Sequence, residues 1–308
     1  MGKIILFYKY VTIQYPKQIF KWQTKICAEL GLTGRIILAN EGINGTLGGQ
    51  DASIERYKKL MLEHSLFGNI DFKQSKGDSS CFPRMQIKIK DEIVKLGIDP
   101  KQLSPAQGGK HLSPEKVHEL LENKPEDLLI FDARNAWESA IGSFKDAIKP
   151  DIQYFRHLPS YIDQHLETFK AKKVLMYCTG GVRCERATAY LNTKGVAKEI
   201  YQLEGGIHKY LEQYPDGFFR GKNYVFDARL SMHTNNDVLT TCLLCNNSCD
   251  TYDNCANASC NKHFVCCNSC KQKFKNTCGL GCQQLLESEK VAPRPPLRTV
   301  KVEQPHGQ

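Results

Sequence analysis

Two hydrophobic periods alternate along the first third of the chain, and together they predict a small α+β domain. Residues 4–11 form an apolar run of the kind found in strands, and Arg35–Ala39 forms a second run. Between them, Pro16–Leu30 carries apolar residues at helical spacing, begins with a proline and is followed by Gly31. This part of the chain therefore begins with a strand, a helix and a strand.

Further segments complete the predicted domain. They are a turn over 40–45, a strand from Thr46, a helix from Asp51 to about His64, and extended runs over 70–73 and 85–94. The order βαββαβ is typical of ferredoxin-like, acylphosphatase-like folds, which we assign to residues 1–95.

Some polar residues of this domain could face a ligand, although turns and surface pairs explain such residues more often. These residues are Arg35, Asn40, Glu41, Asn44 and Arg84.

The middle of the chain predicts a parallel α/β domain after a linker. Residues 96–112 are rich in glycine and proline and are interpreted as the linker. Ser113-Pro114-Glu115 is a strong helix start, and it opens a domain that we extend over 113–220. Short apolar strands separated by helical segments predict a parallel sheet with helices on both faces.

The candidate reacting group is Cys178, which follows the apolar strand Val174–Tyr177 and precedes a helix that ends near Gly195. The loop after the cysteine consists of Thr179, Gly180, Gly181, Val182 and Arg183. Its glycines allow a sharp turn, and amides ahead of a helix N-terminus favour an anion. We therefore expect a thiolate nucleophile near neutral pH. The alternative is a buried structural cysteine at a strand end.

The loop alone does not identify the reaction, because cysteine phosphatases also use a Cys-x5-Arg loop. The segments on either side of the loop distinguish between the possible families. Ile130–Arg134 contains Asp132-x-Arg134, and it is followed by Glu138 and later by Leu203–Ile207. This set resembles a rhodanese domain, in which the loop cysteine carries a persulfide sulfur. Asp132 and Arg134 are then candidate supporting residues.

Cys184 has two interpretations. It is a candidate resolving thiol, because Cys178 and Cys184 flank one loop. A small buried helix residue explains it equally well.

Composition favours a polyanionic partner. The chain of 308 residues carries a net charge of +9, which divides into +7 for residues 1–110, −1 for 111–220 and +3 for 221–308. A basic first third beside a near-neutral middle fits a nucleic acid, although a lysine-rich surface alone would give the same numbers. No apolar stretch is long enough to span a membrane, so we expect a soluble, cytoplasmic protein. No flavin, haem or nicotinamide motif is found.

Ten of the fourteen cysteines lie between Cys242 and Cys282. In a cytoplasmic protein this density indicates metal binding, so we predict structural zinc in residues 221–285, with disulfides, free thiols or an iron–sulfur cluster as alternatives. The first predicted site consists of Cys242, Cys245, Cys267 and Cys270. A second would draw on Cys249, Cys255, Cys260, Cys278 and Cys282, with His263 as a spare ligand. Residues 286–308 are expected to be disordered.

Motifs from all three parts resemble those of one family. They are Ala39–Thr46, Tyr177–Glu185, Asn254–Asn257 and Cys266-Cys267. The chain resembles the rhodanese-related tRNA uridine hydroxylases. This resemblance implies oxygen-dependent hydroxylation of the wobble uridine at C5, giving 5-hydroxyuridine. It also implies that molecular oxygen is a co-substrate, that the tRNA anticodon loop is the partner, and that Cys178 is the essential cysteine and passes through a persulfide.

Two alternative functions remain open at this stage. A thiosulfate or persulfide sulfurtransferase would work without tRNA and without oxygen. A non-catalytic, zinc-stabilised RNA-binding protein would keep its function after Cys178→Ser. The oligomeric state is not indicated by the sequence.

Overall fold

The computed structural model describes residues 2–232, 235–260 and 262–294. These residues form an N-terminal α+β part, a central part built on a parallel sheet, and a C-terminal part rich in cysteine. Among the described residues, no helix is long and apolar enough to cross a membrane.

The N-terminal part has the predicted order of elements, and the extended run expected over 85–94 forms its fifth strand. Its elements are β1 (Gly2–Tyr10), α1 (Pro16–Glu29), β2 (Thr33–Ala39), β3 (Gly42–Gln50), α2 (Asp51–Glu63), β4 (Asp71–Lys76) and β5 (Met85–Ile89). The sheet order is β4-β1-β3-β2-β5, in which β5 pairs parallel with β2 and the other neighbours are antiparallel. Helices α1 and α2 cover one face of the sheet, where Phe7, Ile36 and Tyr57 are fully buried.

The turn that we expected over 40–45 is shorter than predicted. Strand β3 already begins at Gly42, and Asn44 and Gly45 pair with β1 and β2. Gly45 serves packing rather than a turn, because a Cβ at this position would lie 2.4 Å from the Phe7 ring. A glycine that gives room to a neighbouring ring looks the same in the sequence as a glycine that bends the chain.

The central part contains a four-stranded parallel sheet with helices on both faces, as expected. Its elements are β6 (Lys110–Leu112), α3 (Pro114–Asn123), β7 (Leu128–Asp132), α4 (Ala136–Ala140), β8 (Gly142–Phe144), α5 (Leu158–Gln164), α6 (Leu166–Phe169), β9 (Lys173–Tyr177), α7 (Val182–Asn192), β10 (Glu199–Leu203) and α8 (Gly206–Gln213). The sheet order is β6-β10-β9-β7. Helices α5 and α7 pack on one face and α3 and α8 on the other.

The segment that we interpreted as a linker is packed against the central part. Leu96 and Leu103 are buried in the core beneath α5 and α7, and Lys110–Leu112 forms the edge strand β6. The glycines and prolines of this segment allow the chain to turn along the surface. The side chains of the two leucines anchor the segment in the core.

The C-terminal part consists of short elements. They are β11 (Phe219–Gly221), β12 (Asn223–Tyr224), β13 (Ser231–Met232), β14 (Tyr252–Asn254), β15 (His263–Val265), α9 (Asn268–Lys273) and α10 (Leu280–Glu287). Strand β11 pairs with β8, which joins this part to the central part. Most of the expected disordered tail lies outside the described residues. Its described portion begins with the last two residues of α10, and Arg294 N–H donates to the Ala256 carbonyl.

Candidate active site

Cys178 lies between the end of β9 and the start of α7, in a loop that packs against the start of α8. Gly181 adopts a φ of +99°, which L side chains rarely adopt, and its N–H donates to Cys178 Sγ at 3.2 Å. Gly206, at the start of α8, approaches so closely that a Cβ there would lie 2.5 Å from the Cys178 carbonyl oxygen. Ile207 N–H donates to that same oxygen at 3.0 Å. The two glycines therefore fix the direction of the sulfur.

The loop favours the thiolate form of Cys178. Burial opposes ionisation, but the Cys184 thiol, the charge of Arg183 and the backbone amides of Arg183 and Cys184 outweigh it, and the pKa of Cys178 is lowered to about 5. The pKa of Cys184 is raised well above its ordinary value, first by burial and then by its hydrogen bond to Cys178. Cys184 is thus a neutral donor next to an anionic sulfur.

Arg183 is held by a carboxylate whose role the sequence did not reveal. Its Nη1 and Nη2 donate to the two oxygens of Glu138 at 2.6 and 2.7 Å, and both side chains are buried. Nη2 also lies 3.3 Å from Thr179 Oγ1. From the sequence, Glu138 is identified only as part of a motif. No local pattern shows that two residues 45 positions apart form an ion pair.

Asp132 and Arg134 form a buried pair at the end of β7. Arg134 Nε and Nη2 donate to the Asp132 carboxylate at 2.9 and 2.6 Å, and Tyr177 Oη donates to Asp132 at 2.8 Å. This cluster joins the ends of β7 and β9. Neither Asp132 nor Arg134 lines the cavity described below, so their supporting role stays a prediction.

The face of the N-terminal sheet opposite α1 and α2 covers the cysteine loop. Leu6 and Tyr8 are two residues apart on β1, so both side chains lie on this face of the sheet. Leu6 contacts Gly180, and Tyr8 contacts Gly181. Tyr8 Oη donates to Glu185 at 3.0 Å, and its pKa is raised by burial and by this carboxylate. The loop is therefore closed by another part of the chain.

An ion pair fixes the two parts to each other. Arg186 is fully buried, and it donates to Glu41 at 2.8 Å and to the Ile98 carbonyl at 2.7 Å. Glu41 also accepts from Ile93 N–H at 2.8 Å, and Asn40 Nδ2 donates to the Ile13 carbonyl at 3.3 Å. Glu41 and Asn40 thus have structural contacts.

A cavity of about 490 Å³ separates the open sheet face from the loop, and we call it the reaction cavity. Cys178 and Arg183 line it from the central part, and Arg35, Asn44 and Thr46 line it from the N-terminal sheet. Strand register explains the second group, because Arg35 pairs with Thr46 and all three residues lie on the face opposite α1 and α2. Arg35 is exposed and Asn44 Nδ2 donates to the Ile93 carbonyl at 3.0 Å, so a ligand-binding role for either residue stays a prediction.

Aromatic rings and lysines form part of the remaining wall, beside aliphatic residues and the carboxylates of Asp91 and Glu92. The rings and lysines are Phe82, Phe155, Phe226, Lys90 and Lys95. The volume falls within the range of about 300 to 1,000 Å³ that is typical of small-molecule sites. Rings, basic groups and a thiolate can together accept a planar, electron-poor heterocycle attached to a phosphate.

Eight of the ten cysteines of the C-terminal part form two groups of four. The first is Cys242, Cys245, Cys267 and Cys270, and the second is Cys255, Cys260, Cys278 and Cys282; within each group all sulfurs lie within 4.8 Å of one another. The distances are 3.7 Å for Cys245–Cys267 and 3.6 Å for Cys260–Cys278. Zn–S bonds of about 2.3 Å place the sulfurs of a tetrahedral site about 3.8 Å apart. Each group can therefore hold a metal ion such as zinc.

Cys249 and His263 lie outside both groups. The second predicted site includes Cys249, but this cysteine belongs to neither group of sulfurs. His263 Nδ1 is hydrogen-bonded to Asn254 Oδ1 at 3.0 Å, and the ring stacks on Tyr252. Ten thiols lie in this segment, and only the fold separates those that can be metal ligands from the others.

Three family models match consecutive segments of the chain. They are a UPF0176 acylphosphatase-like domain over residues 2–93, a rhodanese-like domain over 113–213 and a rhodanese C-terminal domain over 220–283.

Curated relatives match over most of the chain. A tRNA uridine(34) hydroxylase of Corynebacterium urealyticum is 38% identical over 90% of this chain and 96% of its own length. A tRNA uridine(34) hydroxylase of Pseudarthrobacter chlorophenolicus is 38% identical over 88% of this chain and 94% of its own length. Among solved structures, a rhodanese-related protein of Thermoplasma volcanium covers 34% of this chain and 92% of its own, at 22% identity and a TM-score of 0.27.

Proposed function

Because the chain belongs to the tRNA uridine(34) hydroxylase family, we propose that it hydroxylates uridine 34 of tRNA at C5 and that Cys178 is the reacting group. The relatives support the reaction, since the match extends over about nine tenths of the chain and nearly the whole length of each relative. The observation that carries the assignment of Cys178 is its lowered pKa at the wall of the reaction cavity. Since the substrate is tRNA, we propose the cytoplasm as the place of action.

The reaction cavity suits a base that has left its stack. An enzyme that modifies a base must take it out of the stack, which costs least in a single-stranded loop such as the anticodon loop. Arg35, Lys90 and Lys95 are exposed at the wall of the cavity, where they can contact the RNA phosphates. Phe82 and Phe155 offer rings against which a uracil can lie.

The atoms balance with molecular oxygen as the oxidant and a thiol as the reductant. The C5–H bond is replaced by C5–OH with one oxygen atom, and the second atom leaves as water. Water formation takes two electrons and two protons from two thiols, which become one disulfide. Oxygen is therefore proposed as the co-substrate, in agreement with the resemblance found in the sequence.

Cys178 can act in two ways on this route. As a thiolate it can add to C6 of the uracil ring, which places electron density on C5. As a persulfide it can carry the sulfur that reacts with oxygen, and the amides that stabilise the thiolate also stabilise a persulfide anion. Peptide mass spectrometry of the resting protein separates the two, because a persulfide adds one cyanide-labile sulfur to the Cys178 peptide.

We propose that each group of four cysteines holds structural zinc. The cysteines pack with Tyr224, Tyr252 and Phe264 in one cluster that also contains Ile141 of the central part. The strands and helices of this segment are short, so metal ions would contribute a large part of its folding free energy. Zinc would thus fix the segment that places Phe226 in the cavity wall.

The direct test is hydroxylation by the purified protein under labelled oxygen. A tRNA with unmodified uridine 34 is incubated with protein and a thiol under ¹⁸O₂, and its nucleosides are analysed by mass spectrometry. We expect ¹⁸O in 5-hydroxyuridine with the wild type and no product with Cys178→Ser. Turnover of thiosulfate without any tRNA product would instead identify a sulfurtransferase.

A further inference from the structure

A second cavity adjoins the reaction cavity. It has a volume of about 540 Å³ and lies between the N-terminal sheet and the start of the C-terminal part. Arg35, Phe82 and Phe226 line both cavities. The two cavities therefore adjoin at these three residues, so neighbouring parts of one chain molecule can lie on either side of them.

Positive charge dominates this second cavity. Arg35 and Arg84 are both exposed, and within residues 2–232, 235–260 and 262–294 neither makes an ion pair with a carboxylate. Among the described residues, the one acidic residue that lines the cavity is Asp227, and its carboxylate accepts from Arg229 Nη2 and Nε at 2.6 and 2.7 Å. An anion that enters this space therefore meets two guanidinium groups and no unpaired carboxylate from the described residues.

The side chain of Arg84 lines the second cavity and is held by hydrogen bonds. Its Nε and Nη2 donate to the Gln86 side-chain oxygen at 3.1 and 2.8 Å, with the amide turned so that this oxygen faces the guanidinium. Gln86 pairs with Arg35 across β2 and β5, and Arg84 directly precedes β5, where its carbonyl accepts from Gly34 N–H at 3.2 Å. Nη1 stays available for a phosphate oxygen, which suits the planar fork of arginine.

Phe226 supplies an exposed ring at the junction. Its side chain is 43% exposed, which is unusual for a phenylalanine that is fixed on one edge by Tyr224 and Trp137 at 5.4 and 5.7 Å. A ring that is held by its neighbours and open on one face is a stacking platform. Single-stranded nucleic acids bind where such platforms alternate with a basic groove.

We propose that the second cavity binds the nucleotide that is joined to the target uridine. The target base occupies the reaction cavity, the neighbouring base stacks on Phe226, and Arg35 and Arg84 bind the phosphates of this segment. This inference rests on the proposed function, and it names residues that select a single-stranded RNA segment rather than a free nucleoside.

The test measures the binding of the full-length protein to RNA of increasing length. The probes are uridine monophosphate, a trinucleotide with a central uridine, and an anticodon stem-loop transcript. Arg84→Gln is compared with Arg56→Gln, which removes the same charge from α2 on the opposite face of the sheet.

We expect the wild type to bind the trinucleotide more tightly than the monophosphate, and Arg84→Gln to lose most of this gain. The slope of log K against log salt for the stem-loop should fall by about 0.7 in Arg84→Gln, the value for one phosphate of a single strand, and stay unchanged in Arg56→Gln. Phe226→Leu should weaken trinucleotide binding about tenfold, whereas Phe226→Tyr should keep it.

The same protein variants are then assayed for hydroxylation of the stem-loop. This assay tests the proposed function separately from the role of the second cavity. A wild type that gives no product contradicts the proposed function. A wild type that gives product, together with an Arg84→Gln variant whose KM and salt slope match those of the wild type, contradicts the second-cavity assignment alone.

Discussion

Arg183 is tied to Glu138 by two hydrogen bonds of 2.6 and 2.7 Å, so the positive charge next to Cys178 is held in place by a buried carboxylate. The pair lies between the cysteine loop and α4, and both side chains are buried. A fixed charge of this kind stabilises an anionic sulfur without having to reorient during the reaction.

Removal of this carboxylate should destabilise the protein. Glu138→Gln leaves Arg183 buried without its counter-ion, and the expected loss in the free energy of unfolding is about 3 to 5 kcal/mol. Denaturation with urea measures this loss. Glu119→Gln, an exposed change on α3, should cost less than about 0.5 kcal/mol. Equal midpoints for Glu138→Gln and the wild type would contradict the structural role of the pair.

The pKa of Cys178 should be visible in its reaction with iodoacetamide. Since the pKa is lowered to about 5, the alkylation rate of the Cys178 peptide should reach half of its maximum near pH 5 and stay constant through neutral pH. Peptide mass spectrometry distinguishes Cys178 from the other cysteines. A rate that still rises steeply between pH 7 and 9 would show an ordinary thiol.

The same pKa makes the stability of the protein depend on pH. Between pH 5 and 9 the unfolded chain keeps the Cys178 proton and the folded chain has lost it, so stability should rise with pH. The thiolate contribution is complete above pH 9 and is lost as pH falls through about 5. The stability difference between wild type and Cys178→Ala should therefore increase across this window, by about 1 kcal/mol per pH unit. A difference that does not change with pH would contradict a native thiolate.

The two interpretations of Cys184 predict different activities for the Cys184→Ser variant. As a hydrogen-bond donor to Cys178, it can be replaced by serine, whereas Cys184→Ala should raise the pKa of Cys178 and move its alkylation profile to higher pH. As a resolving thiol, it cannot be replaced by either residue. Normal hydroxylation by Cys184→Ser would identify a donor, and loss of turnover with an unchanged alkylation profile would identify a resolving thiol.

Metal analysis should find two zinc ions per chain. Cys242→Ser and Cys278→Ser each remove one ligand from a different group, so each should lower the content by about one ion. Cys249→Ser serves as the matched control, because Cys249 lies outside both groups, and it should keep both ions. A content below one ion in the wild type, with the protein still folded, would contradict the zinc proposal.

The sequence predicted the elements of the two larger parts because local signals determine them. The helix start at Ser113-Pro114 is an example, since Ser113 caps α3 as expected. The loop around Cys178 was found for the same reason, because its strand, glycines and helix are contiguous.

The sequence did not predict what covers the site, because this depends on packing between distant segments. Leu6 on Gly180, Arg186 with Glu41, and the place of Arg35 in the cavity wall all join residues far apart in the chain. Gly45 was misread because a glycine that leaves room for a ring and a glycine in a turn are identical in the sequence.

The central claim is that Cys178 of this chain hydroxylates uridine 34, and nucleoside analysis of tRNA from cells tests it most directly. Cells that lack the protein are complemented with wild type or with Cys178→Ser, and nucleosides that contain 5-hydroxyuridine or derive from it are quantified by mass spectrometry. The account predicts that they fall without the protein and return only with the wild type. Unchanged levels in the deleted cells, or full recovery with Cys178→Ser, would contradict it.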